Sequence, residues 1–304
     1  MSSNAAAEES AVGEGHGTAE MNEVWHVRHG ERCDEVRGPE RELWKRSPRF
    51  KRVGYFDTFL TCHGHLQAAR AGLFLRSLQF DQQPGSFDIV YTSPLVRAVQ
   101  TAVCVSQGLG NLPLQVVPGL CGCTAASVRI GPSTQDKLMT DAEIAETFPW
   151  VAVLPRDPLA PTSFSGAAAW LAAKAQEKWG TGGNGGGDRS PVSRILAVGH
   201  REGTKALSGR KVPTPHCCIG IFRTQASQET FKYELHDLLS REGESIAPTG
   251  ESSSYAKPMT TAAAEAITPA DDDADGGDGT AKAVAEQVIA QTVSTGGGSR
   301  TPVV

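Results

Sequence analysis

The chain of 304 residues has no apolar run long enough to span a bilayer as a helix, so a transmembrane helix is not expected. Its first twenty residues, rich in Ala, Glu, Ser and Gly, lack the basic start and apolar stretch of a secretory signal. Gly is absent from position 2, so N-myristoylation is not indicated. No Cys-x-x-Cys spacing occurs among the seven cysteines. The odd count, with Cys217 and Cys218 adjacent, points to reduced thiols and a cytoplasmic protein. A zinc site built from Cys121, Cys123, Cys217 and Cys218 is disfavoured, because the usual ligand spacing is missing. Aromatic residues make up only 6%, while 33 of the 304 residues are Gly. Such a composition describes an ordinary core diluted by segments that cannot pack.

Charge divides the chain in the same way. Residues 1–22 hold four acids and neither Lys nor Arg, and residues 245–304 hold eight acids against three bases. The middle, 23–244, keeps 26 bases and 22 acids. A net charge of −5 therefore conceals a mildly basic centre. That balance is too weak for nucleic acid and suits an anionic ligand. The expected organisation is an acidic disordered arm at 1–22, one domain at 23–240 with a flexible Gly-rich insertion at 180–190, and an acidic disordered tail at 241–304.

Hydrophobic patterning predicts short strands at Val24–Val27, Phe87–Tyr91, Leu114–Val117 and Arg194–Val198. Helices are predicted at about 60–78, from Ser93 as N-cap with Pro94 at the first helical position to about 108, at Thr140–Thr147, at Ser165–Trp179 and at Gly203–Ser208. Thr140 and Glu143 have capping-box spacing. Residues 31–59 read as a polar surface excursion, and Ile219–Arg223 with Phe231–His236 as a closing strand pair. Strands alternating with helices imply an α/β three-layer sandwich around a mainly parallel sheet.

Two strands deliver a histidine at their ends: Arg28-His29-Gly30 and Gly199-His200. A third delivers Ser93-Pro94 and then Arg97. Ligands of open α/β sheets bind beyond the carboxyl ends of strands, so these residues are expected at one mouth. Histidines with arginines there describe a phosphate site, since guanidinium forks match phosphate oxygens. Neutral imidazole is a nucleophile near pH 7. His29 is the candidate nucleophile, Arg28, Arg32 and Arg97 the oxygen-binding groups, and His200 a further donor. Three guanidinium groups would supply the charge otherwise asked of a metal, so neither metal nor cofactor is expected.

Together, Arg28-His29-Gly30-Glu31-Arg32, Leu60-Thr61-x-x-Gly64-x-x-Gln67-Ala68, Tyr91-Thr92-Ser93-Pro94-Leu95-x-Arg97-Ala98-x-Gln100-Thr101-Ala102 and Gly199-His200 resemble the motifs of the histidine phosphatase superfamily, the phosphoglycerate-mutase-like enzymes. The Arg-His-Gly-Glu-Arg form is most similar to the phosphatase domain of ubiquitin-associated and SH3-domain-containing phosphatases. The resemblance implies a phosphoglycerate-mutase-like fold and a phosphomonoester hydrolase with a phosphohistidine intermediate on His29. Its substrate would be a phosphorylated small molecule or a phosphoprotein; nucleic acid and membrane are not expected partners. A true mutase is disfavoured because Arg32 follows Glu31.

One position departs from the pattern. Gly122 stands where nearer members of the family carry an acidic proton donor. Glu202 is the first candidate to replace it, with Glu31, Asp136 and Glu143 behind it. The alternative is a catalytically impaired phosphate- or phosphoprotein-binding module. Among the remaining histidines, His26 reads as a core or edge residue, and His63 and His65 as exposed. The basic cluster Arg41, Lys45, Arg46, Arg49, Lys51 and Arg52 reads as a solvated loop, or as a rim that steers anions.

Overall fold

The computed structural model describes residues 21–80, 87–121, 137–180, 192–208, 213–225 and 234–239. Among them, seven strands form one sheet in the order β4-β3-β2-β5-β1-β6-β7. They are β1 (Met21–Arg28), β2 (Val90–Thr92), β3 (Leu114–Val116), β4 (Val153–Leu154), β5 (Val192–Gly199), β6 (Ile219–Gln225) and β7 (Glu234–Leu239). The first five in that order run parallel, and β6 and β7 close one edge antiparallel. The expected α/β sandwich and its mainly parallel sheet therefore stand.

Each strand shows its two faces by alternation. Trp25, Val27, Leu196, Val198, Val90, Ile219 and Ile221 pack on one side with α3 (Cys62–Phe80) and α4 (Val96–Gly108). Val24, Ile195, Ala197, Tyr91 and Phe222 pack on the other with α6 (Phe164–Gly180) and α7 (Arg201–Ser208). Helix α5 (Asp141–Thr147) starts at Thr140 with the expected capping box complete.

Several local expectations are corrected. Residues 31–59 are not a bare excursion: they form α1 (Pro39–Arg46), α2 (Pro48–Val53) and a 3₁₀ turn. Trp44, Val53 and Cys33 are buried there as a satellite cluster with Phe50 and Phe59. The charged residues between these apolar positions mask the periodicity. Met21 and Asn22, expected in the arm, already belong to β1 and pair with Gln225 and Thr224. Helix α4 begins at Val96 with Leu95 as N-cap rather than at Ser93, because Asp57 from a distant loop takes the Val96 amide at 2.6 Å. His65 is buried, not exposed, with Nδ1 2.9 Å from the Thr61 carbonyl. The rest of the predicted arm, the Gly-rich insertion beyond Gly180 and the predicted tail at 241–304 lie outside the described residues, as do Gly122, Cys123 and Asp136.

Candidate active site

Register brings three strand ends level. Arg28 of β1 is the partner of Gly199 of β5, and Thr92 of β2 is the partner of Val198. The next residues are tied across the same ladder: His29 N donates to Gly199 O at 3.0 Å and Ser93 N to Val198 O at 3.1 Å. His29, His200 and Ser93 therefore leave the sheet side by side.

The remaining motif residues hold this arrangement. Gly30 N donates to Thr101 Oγ1 at 3.1 Å, Glu31 N to Gln67 Oε1 at 3.0 Å and Leu60 N to Gln100 Oε1 at 2.9 Å. Gly30 and Gly64 touch backbone to backbone. A Cβ on Gly30 would lie 2.4 Å from the Gly64 carbonyl oxygen, and one on Gly64 2.3 Å from that of Glu31. The glycines are needed for this close approach.

The His29 ring is buried, and its Nδ1 lies 2.8 Å from its neighbour's carbonyl, Gly30 O. A carbonyl only accepts, so Nδ1 carries the hydrogen and Nε2 keeps its lone pair. The His200 ring is 5.2 Å away at 60°, with Nε2 3.0 Å from Ser93 Oγ. Burial lowers the pKa of His29 well below the imidazole norm; the charges of Arg97 and Arg28 push the same way, against the opposing Gly30 hydrogen bond. Burial does the same to His200, helped by Arg97, His29, His26 and Arg32. Both rings are thus neutral in the mildly acidic range.

Arg97 is buried, and its Nη1 donates to Phe56 O at 3.2 Å and lies 3.8 Å from the Asp57 carboxylate. Arg28 donates through Nη1 to Thr214 O at 2.5 Å, and its Nε is buried without a partner among the described residues. Arg32 is gripped by Asp34, at 2.9 and 2.7 Å, and lies 3.4 Å from Glu35. Its charge reaches His200, but its fork faces a carboxylate.

Three site residues escaped the sequence reading. His216 lies with its ring 5.7 Å from that of His29 and its Nε2 2.9 Å from Glu35 and 3.0 Å from Arg28 Nη2. Glu35 is the second. Burial alone would raise its carboxyl, but His216, Arg32 and Arg28 outweigh that and hold it at about 2. Asp57 is the third: fully buried, it anchors Arg49, Val96 and Arg97 together. The available signal for His216 was topological. An antiparallel β6 must begin where β1 ends.

The candidate acids are dispersed. Glu31 accepts from Thr61 Oγ1 at 2.8 Å, Glu143 is spent on its capping box and on Arg52, and Glu202 sits in the first turn of α7 beside Arg201. The basic cluster is partly neutralised, with Lys45 on Glu42, Arg49 on Asp57 and Arg52 on Glu143. His26 lies in the core with Nδ1 3.2 Å from Thr204 Oγ1. No group of three or more His, Cys, Asp or Glu suited to a metal occurs among the described residues. No helix there is long and apolar enough to cross a membrane.

Comparison with known proteins agrees with this geometry at the family level. The profile of the histidine phosphatase superfamily (branch 1) matches residues 24–138. Solved structures that resemble the chain include the ecdysone phosphate phosphatase of Bombix mori in complex with tungstate. It is 20% identical, with 72% of this chain and 92% of that one covered and a TM-score of 0.49. A mycobacterial glucosyl-3-phosphoglycerate phosphatase is 18% identical, covering 70% and 95%, with a TM-score of 0.35. No curated protein sequence matches. The resemblance that the sequence motifs carry is thus matched by the model of the histidine phosphatase superfamily, branch 1, over residues 24–138.

Proposed function

We propose that the protein is a phosphomonoester hydrolase that works through a phosphohistidine on His29. The observation that carries this reading is the state of the His29 ring. It is buried and neutral, with Nδ1–H committed to Gly30 O and Nε2 left with its lone pair among Arg28, Arg97 and His200. A buried neutral imidazole keeps its nucleophilic electron pair where a solvated one would begin to protonate.

Phosphoryl transfer asks the protein mainly for positioning and for charge neutralisation. Arg28 and Arg97 supply the charge, with Arg32 at the edge. The partnerless Nε of Arg28 is a donor that a phosphate oxygen would satisfy. His200, steadied by Ser93, adds a hydrogen bond to the transferring group. Attack forms an N–P bond and breaks the P–O ester bond; water then cleaves the N–P bond and releases phosphate. The substrate class is a phosphorylated small molecule or a phosphoprotein.

Turnover of an activated aryl phosphate by wild type and by His29→Ala tests this reading. The variant is expected to fold and to lose at least about 10³-fold in rate, the scale on which removal of a nucleophile acts. Substantial turnover by folded His29→Ala refutes it. Since guanidinium groups carry the charge, wild-type turnover is also expected to survive a chelator.

A further inference from the structure

The first step of that reaction releases an alkoxide or phenolate that needs a proton, and the second removes a proton from water. The resemblance implies an acidic donor at position 122, where this sequence has Gly. His216 stands beside the nucleophile instead. Thr214-Pro215-His216 leads into β6, whose antiparallel pairing with β1 puts this segment at the mouth. It is pinned there: Cys217 N donates to Arg28 O at 3.1 Å, and Arg28 N to Cys218 O at 3.1 Å. The Cys217 backbone has φ 55°, the left-handed turn that carries the chain from His216 into the strand.

Three histidine rings surround the site, and they differ in access. His29 and His200 lie deeper, at 4% and 2% exposure, whereas the His216 side chain keeps 23%. A leaving group must depart toward solvent, so the accessible ring is the one that can meet it. Around His216 stand Glu35 and, behind it, Arg32 from the loop after β1, with Arg28 and His29 from the end of β1. Among the described residues, Glu35 is the one negative charge in contact with the ring. Carboxylate contact orients an imidazole and stabilises its charged form.

We propose that His216, oriented by Glu35, is the acid–base group of the reaction, and this rests on the phosphohistidine reading above. In the first step His29 Nε2 bonds to phosphorus, the P–O ester bond breaks, and imidazolium His216 gives its proton to the leaving oxygen. In the second, water attacks phosphorus, the N–P electron pair returns to His29, and neutral His216 takes the water's proton. Phosphate leaves and the enzyme is restored.

The test compares wild type, His216→Gln and Glu35→Gln in the full chain on activated aryl and on alkyl phosphates. In single-turnover kinetics His216→Gln is expected to slow release of the leaving group by about 10²–10⁴-fold for alkyl esters and by less than about tenfold for activated aryl esters, and to slow the later hydrolysis of the phosphoenzyme equally whichever ester formed it. Glu35→Gln acts through His216 and should give the same selective pattern at smaller size. An equal slowing of leaving-group release from both esters, or none from either, overturns the proposal. If His216→Gln does not fold, Glu35→Gln decides it by the same criterion. Failure of the hydrolase reading looks different: wild type itself would not turn over the aryl ester, or His29→Ala would retain activity.

Discussion

His29 sits next to a glycine carbonyl and inside a ring of guanidinium groups, and both facts bear on its titration. Burial and the arginines lower its pKa well below 6.5, so the ring stays neutral as the solution becomes mildly acidic. In histidine side-chain NMR, His29 is expected as the Nδ1–H tautomer, still uncharged at about pH 6.5, where a free imidazole is half protonated. A doubly protonated His29 at that pH contradicts the electrostatic account. At this scale much of the site was legible. Arg28, His29, Arg97 and His200 could be placed because each follows a short apolar run closely, and strand ends in a parallel sheet share one mouth. His216 and Glu35 could not. One precedes an antiparallel strand and the other lies in a polar loop, so neither carries a strand-end signature.

Helices α3 and α4 cross with almost no side chain between them. A Cβ on Gly72 would lie 2.8 Å from the Val105 carbonyl oxygen, and one on Gly108 2.6 Å from the Gly72 carbonyl carbon. These atoms are backbone and cannot turn aside. Since α4 carries Arg97 and α3 carries Gln67, the crossing sets the distance between two walls of the site. Gly108→Ala is expected to cost about 1–3 kcal/mol, the scale of overpacking a tight interior. It should appear as a lower urea midpoint; an unchanged midpoint would mean that the crossing can open freely. The sequence offered the helices themselves, through apolar spacing, but not their approach. Nor did it offer the start of α4, where Ser93-Pro94 had the local look of a cap. Asp57, thirty-nine residues earlier, captures the Val96 amide instead, while the Ser93 hydroxyl contacts His200. Local capping rules yield when a buried tertiary partner takes the helix amide.

At the scale of the whole molecule, four buried histidines among the described residues are held neutral on or beside the sheet. Burial lowers the pKa of His26 and His65 to about 4, and His29 and His200 are lowered as well. In the unfolded chain these rings accept protons near pH 6.5. Below that value the unfolded state binds more protons than the folded one, so stability falls with pH. Stability is fully present above about pH 6.5 and is lost as pH drops through 4. Urea unfolding across pH 7.5 to about 4 is expected to show this decline, with a slope of more than one proton per molecule near pH 5. A flat profile contradicts it. The layered architecture was readable because strand and helix patterns alternate along the chain. The inner order β2-β5-β1 was not, since it depends on which parallel neighbours pair across long connections.

The central claim is that phosphate passes through His29. The direct measurement is rapid quenching of wild type during turnover of an aryl phosphate, followed by mass spectrometry under alkaline conditions that preserve phosphoramidates. The account predicts one added phosphate, on His29, that disappears as substrate is exhausted. Turnover at full rate with no phosphoenzyme, or with the phosphate on another residue, would contradict it.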